Sequence, residues 1–236
     1  RLAEQISLLD NLSRGRVTLG IGRGTAFNFY EYRAYGIPFN EAQDRLLESE
    51  EILTSSWANK TVYAYKGKYF RLEIPQLRPS VYTKPHPPLI RALATEGTLV
   101  EMAKQGRPFM MVVQSDKETI RLFHKYEEVM RISGYEESLI KKNLSQTRIW
   151  RNIVVAKSDK EAADRALPAF EEYTRHIRNA RETLNTPEEL GSVRENLENP
   201  RFTSRHNIIY GSPSTVSKRI SQLSHTGVGG LILHFR

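Results

Sequence analysis

Five short runs rich in aliphatic and β-branched residues punctuate the chain, at 16–21, 89–93, 108–113, 148–155 and 229–235, with helix-period segments between them. Nearly continuous apolar runs of this length are strands covered on both faces, because a strand with one wet face alternates. Strands separated by helices need crossover connections, and crossovers produce a parallel sheet. The helices are legible by period. Residues 2–12 set Leu2, Ile6, Leu9 and Leu12 on related faces, and Asn40–Trp57 repeats the pattern with Leu46, Leu47, Ile52 and Leu53 behind an Asn40 cap. Segments 98–105, 116–132, 159–181 and 213–224 follow.

Three stretches break the rhythm. Residues 61–65 and 68–72, joined at Lys66-Gly67, read as a hairpin excursion spanning 61–72. The proline-rich connector Pro75–Pro88 leads back into the strand–helix alternation, and the polar stretch 182–207 reads as a mobile loop or a surface insertion. The whole, read as one domain over 1–236, fits an α/β fold of the (β/α)8 TIM-barrel type. Five strands are visible where a closed barrel needs eight. The alternative is an open half-barrel whose edges something must cover.

Composition narrows the partners. At 236 residues, 39% hydrophobic and 26% charged, the chain has enough apolar content for one sizeable core. No apolar run approaches the roughly 18–20 residues that span a bilayer, so no membrane partner is expected and the cytoplasm is the default. Cysteine is absent, which removes disulfides and thiolate metal sites, and the six histidines show no metalloprotease spacing, so no metal is expected. Lysine and arginine number 35 against 27 aspartates and glutamates, a formal charge of +8 that favours anionic ligands. The competing reading is basic but solvated helix faces, as where Arg175, Arg178 and Arg181 run beside Glu171, Glu172 and Glu182. No zinc-finger or RNP pattern is present, so nucleic acid is not an expected partner.

One segment concentrates the chemistry. Gly15-Arg16-Val17-Thr18-Leu19-Gly20-Ile21-Gly22-Arg23-Gly24 is a short buried strand ending in glycines, with Arg23 at its mouth and Arg45 on the next helix. Two guanidinium forks match a phosphate or carboxylate, although an arginine paired with a nearby glutamate accounts for the same residues. Thr95 and Thr98, just past the second strand, offer hydroxyls and helix N-terminal amides to an anion, or merely cap the helix. Phe27, Phe29, Tyr30, Tyr32 and Tyr35 occupy the loop after the first strand, where binding residues belong, and are candidates for an apolar pocket wall. Trp57, Tyr63, Tyr65, Tyr69 and Phe70 read as core or cross-strand partners in preference to a substrate entrance. Met102, Met110 and Met111 read as barrel core, and His86, between prolines, as a surface histidine.

The order of these segments resembles the flavin-dependent luciferase-like monooxygenases, bacterial luciferase α subunit included. The resemblance runs through Leu2-Ala3-Glu4-Gln5, Leu8-Leu9-Asp10-Asn11-Leu12-Ser13-Arg14-Gly15-Arg16, Gly22-Arg23-Gly24, Tyr35-Gly36, Arg45-Leu46-Leu47-Glu48 and Trp57. It continues through Lys68-Tyr69-Phe70, Pro87-Pro88-Leu89-Ile90, Ala94-Thr95-Glu96-Gly97-Thr98, Ala103-Lys104-Gln105-Gly106-Arg107-Pro108 and Gly211-Ser212-Pro213-Ser214-Thr215-Val216, to Gly227, while 181–205 carry little of it.

The resemblance implies Arg23, Arg45, Thr95 and Thr98 as the flavin-phosphate ligands. It implies reduced FMN, supplied by a separate flavin reductase, that reacts with dioxygen to oxygenate a small organic substrate. On the same fold it also admits a deazaflavin (F420) oxidoreductase, or a flavin-binding pairing subunit without turnover. A homo- or heterodimer is implied as well. It further implies that three βα units and the catalytic histidine precede Arg1, which leaves the catalytic residue unassigned. Two positions depart from luciferase α: Gly22 stands where a reactive cysteine does, and Ala94 stands where an acid does, with Glu96 displaced by two.

Overall fold

The computed structural model describes residues 1–25, 27–93, 95–112, 114–191, 208–225 and 227–235. The chain divides into two compact units, Arg1–Ile90 and Arg91–Arg236.

In the first unit, helix α1 (Leu2–Ser13) turns Ala3 and Ile6 inward. They meet Leu53 and Trp57 of α3 (Ala42–Ala58) and Val81 of the connector, with Val17, Leu19 and Leu77 around them. The Trp57 indole donates to the Ala3 carbonyl at 3.0 Å, so its one polar atom is satisfied inside the core. Asp10 is fully buried and accepts from the Thr83 amide at 2.7 Å and hydroxyl at 2.9 Å. That carboxylate ties the proline-rich connector to α1 and supplies the hydrogen bonds its burial demands. Strand β1 (Leu19–Ile21) is shorter than the expected 16–21, and its Leu19 amide donates to the Pro88 carbonyl at 2.8 Å.

Two expectations in this unit are corrected. Residues 29–34 form a short helix, α2 (Phe29–Ala34), where a loop was expected. Asn40 does not cap α3: it lies inside a 3-10 turn, Phe39–Glu41, that starts from extended Pro38 and runs straight into the helix. The hairpin exists but is shifted, with β2 (Tyr63–Lys66) against β3 (Arg71–Ile74) in antiparallel register from Tyr63↔Ile74 to Lys66↔Arg71. Its turn is longer than Lys66-Gly67 because Glu48 reaches into it. That carboxylate accepts from the amides of Lys68 at 2.6 Å, Tyr69 at 3.1 Å and Phe70 at 3.1 Å.

Strand β4 (Leu89–Leu93) begins in the first unit and ends in the second. The second unit then adds α4 (Glu96–Lys104), β5 (Phe109–Met111), α5 (Asp116–Ile132), α6 (Glu137–Gln146), β6 (Arg148–Val155), α7 (Asp159–Leu184), β7 (Ile208–Gly211), α8 (Pro213–Ser224) and β8 (Gly230–Phe235). All of its strand pairs are parallel: β4 with β5, β5 with β6, and β6 with β8 over Arg148↔Gly230 to Ile153↔Phe235. The strands expected from sequence are therefore successive neighbours, as in part of a (β/α)8 barrel. Strand β7 was not expected. It pairs with the far half of β6, Asn152↔Ile208 to Val155↔Gly211, on the edge that β5 leaves open. Helix α6 was not expected either, and α7 runs beyond the expected Arg181 to Leu184. The rest of the 182–207 stretch from 192 onward lies outside the described residues.

Strand alternation sorts the side chains of this unit onto two faces. Phe109, Met111, Ile149, Ile153 and Ile209 enter one core with Leu99 and Met102 of α4, Phe123, Tyr126 and Met130 of α5, and Ile140 of α6. Met102 and Met111 are thus core as expected, while Met110, one residue out of phase, stands half-buried on the other face. On that other face near the end of β6, Val154, Ile208 and Tyr210 pack with Ala166 and Phe170 of α7.

Candidate functional site

Arg23 follows β1, and its backbone is pinned by the Tyr32 phenol, which donates to the Arg23 carbonyl at 2.7 Å. Gly24 makes this possible: at φ +89, a Cβ there would lie 2.8 Å from the Tyr32 oxygen. Burial pushes the Tyr32 phenol above its ordinary pKa while the Arg23 charge pulls it down, so Tyr32 donates in its neutral form. The exposed Arg23 guanidinium lies 5.7 Å from the Phe39 ring centroid, and among the described residues no carboxylate pairs with it.

Arg45 sits on the other flank of the same 3-10 turn. It is held by Glu41, with N···O distances of 2.7 and 2.8 Å, and its guanidinium lies 4.6 Å from the Tyr69 ring centroid. Both arginines therefore touch the Phe39–Glu41 turn, but among the described residues only Arg45 has its charge compensated. Beneath them, Phe39 meets Phe29 at 4.6 Å and Tyr32 at 5.2 Å between centroids. Of the five aromatics proposed as a pocket wall, Phe27 and Tyr32 are buried and Tyr35 points into solvent, 81% exposed. His86 is not a surface residue as expected: it is half-buried, with its ring 5.6 Å from that of Trp57 and Nδ1 2.8 Å from the Pro87 carbonyl.

In the second unit, Thr95 is the N-cap of α4. Its hydroxyl accepts from the Thr98 amide at 3.3 Å and lies 3.1 Å from the Thr98 hydroxyl. The capping role is thus realised, and among the described residues a Cβ at Gly97, in the first turn, would meet nothing nearer than the Thr95 hydroxyl at 3.9 Å. The Glu96 carboxylate in that first turn is engaged by Arg121 of α5 at 2.8 Å, which offsets its repulsion toward an anion at the helix end.

Three residues of interest were not singled out from sequence. Trp150 and His234 stack edge to face at 5.9 Å between centroids, and Asn152 stands opposite His234 in the β6–β8 register. They lie on the face turned away from the Ile149–Ile153 core, the face on which Val154 and Ile208 pack against α7. The signal was present as alternation within 148–155, where Arg148, Trp150 and Asn152 interleave with Ile149 and Ile153. Arg151 faces the opposite way and is structural. Fully buried, it donates to Asp116 at 3.1 Å and Thr119 at 3.0 Å, and burial lowers its pKa despite the Asp116 charge.

A family model described as luciferase-like monooxygenase matches residues 1–229. The chain belongs to the luciferase-like monooxygenase family. Among solved structures it is similar to the monooxygenase RslO1 of Streptomyces bottropensis, with a TM-score of 0.74 and 22% identity over 99% of this chain and 65% of that one. It is also similar to the oxygenating constituent of 3,6-diketocamphane monooxygenase of Pseudomonas putida in complex with FMN, with a TM-score of 0.70 and 20% identity over 99% of this chain and 68% of that one. A curated relative, the F420-dependent glucose-6-phosphate dehydrogenase of Intrasporangium calvum, is 23% identical over 99% of this chain and 68% of its own length. The chain spans about half the length of the first curated relative that it matches, 50%. Luciferase-like relatives thus include both FMN and F420 proteins. Among the described residues there is no helix long and apolar enough to cross a membrane, and no cluster of three or more His, Asp or Glu fit for a metal.

Proposed function

We propose that this luciferase-like protein is a flavin-dependent monooxygenase that uses reduced FMN and dioxygen to oxygenate a small organic substrate. The observation that carries the reading is Arg23: an exposed guanidinium with no carboxylate partner among the described residues, on a backbone fixed by Tyr32, at the mouth of a strand in a chain of this family. A phosphate dianion is the ligand such a fork suits best. Arg23 and Arg45 in the first unit, and Thr95 and Thr98 in the second, are each proposed as phosphate ligands from the order of family motifs, and the local geometry of each, taken by itself, supports that role. Arg23 supplies charge, Arg45 a preorganised fork held on Glu41 and Tyr69, and Thr95 with Thr98 the hydroxyls at a helix N-terminus.

Reduced FMN, when bound, supplies the electrons for oxygen activation. The residues of the chain bind and orient it. A separate reductase supplies the reduced cofactor, and a dimer is the proposed assembly. The second reading, hydride transfer with F420, is favoured by the likeness to the F420-dependent dehydrogenase.

Anaerobic titration of the protein with reduced FMN and with F420, read by absorbance and fluorescence, tests both. Reduced FMN is expected to bind. Arg23→Ala should weaken it by roughly 10- to 100-fold, the loss of a charge-assisted hydrogen bond, and Arg45→Ala by less, because Glu41 already offsets that charge. Binding of F420 in place of FMN moves the reading to hydride transfer, and binding of neither refutes the phosphate assignment.

A further inference from the structure

Glu41 and Arg45 stand four residues apart where the 3-10 turn runs into α3, a spacing at which side chains on a helix meet. Although Glu41 immediately precedes α3, its carboxylate makes no cap bond to the amides of the first turn. It reaches Arg45 instead, and a single oxygen, Oε2, accepts from Nε at 2.8 Å and lies 2.7 Å from Nη2. Those two nitrogens form one edge of the guanidinium, and such an edge grips a phosphate through two parallel bonds. The carboxylate thus holds the place on Arg45 that a phosphate would take. Each side chain of the pair is 28% exposed, so an anion arriving from solvent can reach it.

Arg45 has a second hold that is independent of Glu41. Its guanidinium lies 4.6 Å from the Tyr69 ring centroid and 5.9 Å from that of Phe70, both in the hairpin turn whose amides Glu48 gathers. The Glu41 carboxylate is therefore not needed to keep the guanidinium in place. Arg23 has no carboxylate partner among the described residues, so of the two arginines this contact concerns Arg45 alone.

We propose that Glu41 is an internal competitor for the flavin phosphate: it occupies the Nε–Nη2 edge of Arg45, lowers the affinity for a phosphate-bearing flavin and so keeps the cofactor exchangeable. The inference rests on the reading of Arg45 as a phosphate ligand and adds the residue that sets how tightly Arg45 grips. A phosphate at Arg45 either displaces the carboxylate or shares the guanidinium with it, and sharing brings two like charges together. Exchangeable binding suits a cofactor that arrives reduced from a separate protein.

Anaerobic titrations of the whole chain with reduced FMN and with reduced riboflavin, which lacks the phosphate, test the proposal. Glu41→Gln should bind reduced FMN roughly three- to tenfold more tightly than wild type and leave riboflavin unchanged, and Glu41→Ala should do the same. An acid at a helix N-terminus is itself stabilising, so this gain is expected with a thermal midpoint no higher than that of wild type. Unchanged or weaker FMN binding in both Glu41 variants, or equal tightening of both flavins, overturns the proposal. Arg45→Ala separates the two levels. A selective loss of FMN binding there, with no gain in Glu41→Gln, removes this inference alone. No selective loss removes the phosphate role of Arg45 and the inference with it, as does the failure of wild type to bind reduced FMN.

Discussion

Glu48 organises the hairpin turn more than any residue in the turn itself. Its carboxylate collects three consecutive amides, and Gly67 lies so close to it that an added Cβ would overlap Glu48 Oε2. Gly67→Ala is therefore expected to destabilise the protein by about 1–3 kcal/mol, the range of overpacking, measurable by urea unfolding. Tyr126 presents the opposite situation, a polar group placed deep in a core. Its hydroxyl donates to the Arg107 carbonyl at 2.8 Å and accepts from Asn143 at 3.1 Å, and burial pushes its pKa up to about 12. Because the folded value lies above the unfolded one near 10, its contribution is complete below about pH 10 and is lost as pH rises toward 12. Tyr126→Phe should cost about 1–2 kcal/mol at neutral pH and give a shallower alkaline loss of thermal midpoint than the wild-type chain. Neither arrangement was legible in sequence, since a glycine and a tyrosine reveal nothing of which distant side chain they face.

The ends of elements are held by charge. Asp116, in the first turn of α5, receives Arg151 of β6 at 3.1 Å and Arg219 of α8 at 3.4 Å. Removing the carboxylate leaves buried Arg151 uncompensated, whereas replacing Arg151 by an apolar chain also removes its unpartnered Nε. Asp116→Ala is expected to cost about 2 kcal/mol, less than a fully buried pair because Asp116 is 40% exposed, and Arg151→Met should stay within about 1 kcal/mol of wild type. Equal losses in denaturant melts of the two variants would refute this asymmetry. At the start of α7, Asp159 accepts from the Ser212 amide at 2.6 Å and the Thr215 hydroxyl at 2.9 Å, and these bonds hold its pKa below the usual range. Its contribution is present above the ordinary aspartate pKa and fades as pH falls through the lowered folded value. Long periodic helices such as α5 and α7 were legible because an apolar stripe sustained over several turns at helical period places one face against a core. Helix α6 was not, because its ten residues bury Asn143 along with Ile140 and Leu144 and so blur the period. Strand β7, at four residues, is too short to carry a pattern.

For the whole molecule, the excess of 35 basic over 27 acidic residues surrounds any anionic ligand with a favourable field. If a phosphate-bearing flavin is the cofactor, raising salt from about 0.05 to 0.5 M should weaken its binding several-fold, because the Debye length shrinks below the spacing of surface charges. Salt-independent binding in that titration would place the affinity in apolar ring contacts instead. The sequence by itself determined the parallel α/β class, the places of five strands, and the order of motifs by which family membership could be stated, because hydrophobic period and glycine placement act over neighbouring residues. It left Arg45 open between an anion ligand and a glutamate pair, and Thr95 open between ligand and cap. Only the tertiary structure showed that among the described residues Arg45 is compensated by Glu41 while Arg23 has no carboxylate partner, that Trp150 and His234 meet across β6 and β8, and that among those residues Asn152 Oδ1 lies buried without a donor. Those are properties of side chains brought together across long separations, and local sequence pattern carries no term for the distance between them.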